Sequence, residues 1–145
     1  FIKLFFKNAK VIHSKRNLKD TFLSNYKNNF TAKDMDWTYD PSEIVKYFNS
    51  YDDLMNFWKK ICGDFIYDVD YENIINNNEA EIRKLLNFCE LDWDENCLQH
   101  HNNKGTIIKT VSTYQARKPI YKTSIDSNKH YQQSLEKYFD QLNYK

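Results

Sequence analysis

The chain's 145 residues carry 21 Lys and Arg against 20 Asp and Glu, net +1; that fits one ordinary domain and lacks the basic excess of a dedicated nucleic-acid binder. Hydrophobic residues at 41% and aromatics at 17% suffice for a core, while 28% charge in both signs argues against disorder. Two glycines are too few for a Gly-rich phosphate loop, and no run of roughly 18 apolar residues marks a membrane span.

The chain opens on Phe1 rather than Met, and FIKLFFKNAKVIHS (residues 1–14) holds no small-residue cleavage site of a signal peptide. The expectation is a chain whose beginning is missing. Ala9 to Lys15 is a short apolar run, expected as a buried strand over residues 10–15. Leu18, Phe22, Leu23 and Tyr26 then follow helical spacing, which predicts a helix over 18–29. Asp40-Pro41-Ser42-Glu43 is a helix start, with Asp as N-cap, Pro in the first turn and Glu in capping-box position. That helix should span 42–61, bury Ile44, Tyr47, Phe48, Tyr51, Leu54, Met55 and Trp58, and end at Gly63. FIYDVDY (65–71) alternates as a second strand, and Asn76-Asn77-Asn78 fits a strand-to-helix loop. Glu79 to Phe88 reads as a helix, Asp94 as the cap of a short helix through Leu98, Thr106 to Ile125 as a long ordered loop, and His130 to Leu142 as a closing helix. The order implies α/β architecture, a parallel sheet covered by helices. Two strands do not make a stable sheet alone, so the rest is expected upstream.

Cys62, Cys89 and Cys97 form neither an even framework nor a CxxC pair, which reads as reduced thiols of an intracellular, cytoplasmic protein. Cys97 with His100 and His101 makes half a metal site at most; no second pair stands at usable spacing, so no metal is expected. Lys and Tyr neighbour each other in places (Tyr26-Lys27, Lys46-Tyr47), but the balancing acids make these solvated faces rather than a nucleic-acid surface.

The most informative spacing is Arg16-x3-Asp20-x3-Ser24. Arg16 falls just past the carboxyl end of the first strand, where open α/β sheets bind ligands. Positions i, i+4 and i+8 share a helix face. A guanidinium fork and a hydroxyl there suit one oxyanion, a phosphate above all, with Asp20 holding the arginine or capping the turn. The alternative is a surface Arg16–Asp20 pair worth about 0–1 kcal/mol.

The segment NAKVIHSKRNLKDTFLSNYKNNF resembles the 3′-phosphate-binding segment of sulfotransferases that use 3′-phosphoadenosine-5′-phosphosulfate (PAPS). The likeness is to the bacterial branch that often follows tetratricopeptide repeats and is related to tyrosylprotein sulfotransferases. DFIYDVDYENIINNNEAEIRKLLNFCELDWDENCL looks like the family's strand, YE motif, helix and Trp segment in order, and TVSTYQARKPIY resembles its late S-x-x-Q-x-R-x-P-I-Y loop. The resemblance implies a P-loop NTPase-like sulfotransferase fold, a three-layer parallel sheet with flanking helices, of which residues 1–145 are the C-terminal portion of a single domain, incomplete at the N-terminus.

It also implies that Arg16 and Ser24 grip the 3′-phosphate. Tyr71 of the Tyr71-Glu72 pair then lies by the nucleotide, and Ser112 opens the late loop with Arg117 and Lys118 as nearby cations. Tyr71 closing a strand and Ser112 capping a turn are the alternatives. Two departures stand out: Leu18 replaces the usual Pro, and Ser127-Asn128 stands where a Trp is common. No PRSGT-type 5′-phosphosulfate loop and no acid/base residue is recognisable in the chain. The resemblance therefore implies sulfuryl transfer from PAPS to a hydroxyl or amine of a small molecule, glycan or protein, with the missing N-terminal half as partner and the chain inactive alone. The competing reading is a non-catalytic adenosine 3′,5′-bisphosphate-binding or interaction module.

Overall fold

The computed structural model describes residues 1–30, 32, 34–102 and 125–143, with side chains given outside 100–102. It comprises helix α1 (Ile2–Phe5), strand β1 (Val11–Lys15), helix α2 (Leu18–Lys27), a 3-10 turn (Asp36–Tyr39) and helix α3 (Pro41–Cys62). A short 3-10 turn (Gly63–Phe65), strand β2 (Ile66–Asp70), helices α4 (Tyr71–Asn76) and α5 (Asn78–Phe88), 3-10 segments (Glu95–Asn102 and Ser127–Tyr131) and helix α6 (Gln132–Phe139) follow. The late loop expected at 106–125 lies outside the described residues apart from its last position. The chain divides into two compact units.

The first unit holds residues 1–11, 16–66 and, of those described, 125–143. Its helices start where local chemistry dictates. The Asp40 carboxylate accepts from the Ser42 and Glu43 amides at 2.7 and 3.4 Å, with Pro41 in the first turn. Gly63 ends α3 at φ 51°, ψ −126°, a backbone region that a Cβ strongly disfavours. With Leu18 as the first helical residue, the Asn17 side chain caps the start of α2, accepting from the Lys19 and Asp20 amides at 3.0 and 3.1 Å. The core lies between α2 (Phe22, Leu23), α3 (Ile44, Val45, Phe48) and the C-terminal segment (Leu135, Phe139, Leu142). The Phe22 and Phe139 rings meet edge to face at 5.5 Å. Asn49 ties down the chain end: its Nδ2 donates to the Gln141 carbonyl and its Oδ1 accepts from the Asn143 amide, both at 2.8 Å.

One expectation is overturned here. Only the first two turns of the α3 stripe are buried, through Ile44, Val45 and Phe48. Tyr47, Tyr51, Leu54 and Trp58 are exposed, Leu54 by 51%, and Met55 is half-buried. Periodicity marks which face of a helix is apolar, whereas burial needs an element to cover it. No residue in the second half of α3 is fully buried. Tyr47 instead stacks on Trp37 at 4.0 Å, leaving one face to solvent.

The second unit holds residues 12–15 and, of those described, 67–102. β1 and β2 form a small parallel sheet, and they are the sheet's only strands among the described residues. The fold is thus mixed helix with a small parallel sheet; the three layers expected from the sequence are not seen in it. Across the strands His13 Nδ1 and Asp68 Oδ1 lie 2.8 Å apart, half-buried. Val69 and Ile75 are buried, and Tyr67 stacks on Phe88 at 4.9 Å. The Asn run is not a strand-to-helix loop. Tyr71 opens α4 at once after β2, and Asn77, at φ −135°, ψ 53°, breaks α4 from α5. The helix expected through Leu98 is 3-10, its Asp94 carboxylate accepting from the Asn96 amide at 2.8 Å, and the closing helix is shorter than expected, with 3-10 geometry up to Tyr131. Cys62, Cys89 and Cys97 are free and half-buried.

Candidate phosphate site

Lys15 is the last residue of β1 and Asp70 the last of β2; the Lys15 ammonium lies 3.6 Å from Asp68 Oδ2 and 3.7 Å from Asp70 Oδ1. The carboxyl edge of this parallel pair is therefore polar and charged, the edge at which α/β sheets take their ligands. Arg16 and Tyr71 are the residues that next leave β1 and β2.

Arg16 precedes the N-cap of α2 rather than lying in its first turn. Helical spacing thus relates Asp20 and Ser24, one turn apart, but Arg16 is aimed by the strand end. Arg16 is half-buried and engaged, and its Nε is buried. Ser24 is half-buried in the second turn, its carbonyl accepting from Asn28 Nδ2 at 2.7 Å; the same amide lies 3.5 Å from its Oγ. That longer contact leaves the hydroxyl proton able to donate. Tyr71 and Glu72 are half-buried and both engaged, in the first turn of α4. Ser112, Arg117 and Lys118 lie outside the described residues.

Asp20 does something the spacing did not disclose. Its carboxylate is 1% exposed and accepts four hydrogen bonds from one three-residue turn. Asp126 N donates at 2.8 Å to Oδ2; Ser127 Oγ at 3.0 Å, Asn128 N at 2.8 Å and Asn128 Nδ2 at 2.8 Å all donate to Oδ1. Burial pushes the carboxyl's pKa up, but the bonds from Asn128, Ser127 and Asp126 outweigh it and hold the pKa below the usual 3.8. The sign follows: a depressed folded pKa contributes stability that is present above 3.8 and is lost as pH falls through the folded value. The stability gap between wild type and Asp20→Asn, read by urea unfolding, should therefore be full at neutral pH and narrow below 3.8. A gap that stays constant through the acid limb would contradict this.

The remaining described arginine is structural. Arg83 bonds Glu79 through its Nε at 2.8 Å and its Nη2 at 2.7 Å, with its guanidinium carbon 3.7 Å over the Trp93 ring. Fork and stack together are what lysine cannot supply, which explains an arginine in a lysine-rich chain.

Residues 1–95, out of 145, match the model of the sulfotransferase family. The segment with Ser112, Arg117 and Lys118 lies beyond that match. Over 136 residues the chain is 40% identical to an uncharacterized protein of Aquifex aeolicus (strain VF5), covering 92% of this chain and 18% of that relative. The chain spans less than a fifth of the relative's length. Among the described residues no helix is long and apolar enough to cross a membrane.

Proposed function

The chain belongs to the sulfotransferase family, and from that premise we propose that it supplies the 3′-phosphate-binding portion of an enzyme transferring a sulfuryl group from PAPS to a hydroxyl or amine acceptor. The order of motifs supports the branch that follows tetratricopeptide repeats and is related to tyrosylprotein sulfotransferases. Residues 1–145 are then the C-terminal portion of one domain. Further strands pair with the sheet to complete three layers, and the 5′-phosphosulfate loop comes from an N-terminal half. The observation that best supports this reading is the placing of Arg16 at the end of a parallel strand, directly ahead of a capped helix that carries Ser24.

In this reading the Arg16 guanidinium and the Ser24 hydroxyl donate to the 3′-phosphate, a charge-assisted pairing that fixes the nucleotide without entering the chemistry. Tyr71, Ser112, Arg117 and Lys118 are proposed as its other contacts, by motif match. Transfer breaks the bond between sulfur and the bridging phosphate oxygen and forms one from sulfur to the acceptor atom, whose proton leaves to a base. Charge grows on the bridging oxygen, so a cation cradle and a base are needed there. No PRSGT-type cradle stands in this chain. The full-length protein incubated with sulfur-labelled PAPS and a cell extract as acceptor source should move label into product, and the 145-residue chain alone should stay at background. Absence of transfer by the full-length protein contradicts the reading; turnover by the chain alone contradicts the division of roles.

A further inference from the structure

Asp20 stands one helical turn before Ser24 on α2 and four residues after Arg16. A carboxylate so close to a phosphate site is a repulsive neighbour, since residues one turn apart lie roughly 5–6 Å from each other at their Cβ atoms. Its charge must be absorbed or the site is weakened. The four donors from Asp126, Ser127 and Asn128 absorb it, and three of them converge on one oxygen, Oδ1.

The turn itself is built for this contact. Asp126 sits at φ 61°, ψ 15°, in the left-handed region that a residue with a Cβ disfavours. Its amide is held there by the bond to Asp20 Oδ2. Asn128 is buried and gives both its backbone and its side-chain amide to the same carboxylate. The turn leads directly into α6, whose Leu135 and Phe139 pack with Phe22 in the core. α2 is thus gripped on one side by the core and at Asp20 by the turn, and both grips act on the helix that carries Ser24 and follows Arg16.

We propose that Asp20 is a positioning residue for the phosphate site: by fastening the Asp126–Asn128 turn it fixes the pose of α2, the helix that carries Ser24 and follows Arg16, and its own charge is absorbed in that turn. This rests on the reading of Arg16 and Ser24 as 3′-phosphate ligands. Asp20→Asn keeps the shape but turns one acceptor oxygen into a donor that faces N–H groups.

The test is calorimetric titration of the full-length protein with adenosine 3′,5′-bisphosphate and, separately, adenosine 5′-monophosphate. Asp20→Asn should lower bisphosphate affinity about tenfold and leave monophosphate affinity within about twofold of wild type. Should that variant fail to fold, Ser127→Ala removes a single donor and carries the same test, with about threefold lost for the bisphosphate alone. A folded variant that keeps the wild-type ratio of the two affinities, or loses both equally, overturns the positioning role. In that event, an Arg16→Ala variant that still erases the preference leaves the phosphate reading standing. A wild-type protein with no preference overturns both.

Discussion

Arg16→Ala is expected to cost the bisphosphate about 10- to 150-fold in affinity and the monophosphate almost nothing. Hydrogen bonds to charged groups are worth roughly 1.5–3 kcal/mol, and each 1.4 kcal/mol is about tenfold. In that reading the lost contact is charge-assisted, and a point-like ammonium does not reproduce a planar guanidinium, so Arg16→Lys should restore only part of it. Ser24→Ala removes one neutral donor and should cost less, on the order of 1 kcal/mol. Equal losses for both nucleotides in Arg16→Ala would mean that the arginine holds the strand-to-helix junction rather than the phosphate.

Phe22→Ala should give the largest loss of stability, about 3–5 kcal/mol, because a fully buried ring is removed from the centre of the core. Phe22 is 0% exposed and meets the rings of Phe139 and Tyr138 at 5.5 and 6.3 Å, so its removal leaves a cavity that three elements share. A domain of ordinary stability, 5–15 kcal/mol, loses a large share of it. Trp58→Ala, on the exposed half of α3, should cost far less. Urea unfolding of the two variants separates them, and equal losses would contradict the buried and exposed halves described for the apolar residues of the first unit.

What the sequence made legible was local. The Asp40-Pro41 start of α3 is readable because capping chemistry sits within four residues, and the helix runs Pro41–Cys62 against the expected 42–61. What covers that helix is not local, and the spacing of Tyr51, Leu54 and Trp58 says only that they share a face. Tyr71 was legible as a motif residue but not as the first residue of a helix, because six residues are too few for a helical period to show. The Arg16-x3-Asp20-x3-Ser24 spacing pairs Asp20 with Arg16 or with its own turn, whereas the structure engages it elsewhere. Its structural partners lie 106 to 108 positions away, and no short-range pattern encodes such a contact. The Arg83–Trp93 stack escaped for the same reason on a smaller scale, since the chain must turn at Cys89–Glu90 to bring the ring back.

The role proposed for this chain is to bind the 3′-phosphate end of the sulfate donor. The most direct measurement is titration of the wild-type full-length protein with adenosine 3′,5′-bisphosphate against adenosine 5′-monophosphate at one salt concentration. A preference of about tenfold or more for the bisphosphate is the predicted result, from at least one charge-assisted contact to the extra phosphate. Equal affinities for the two nucleotides would contradict it.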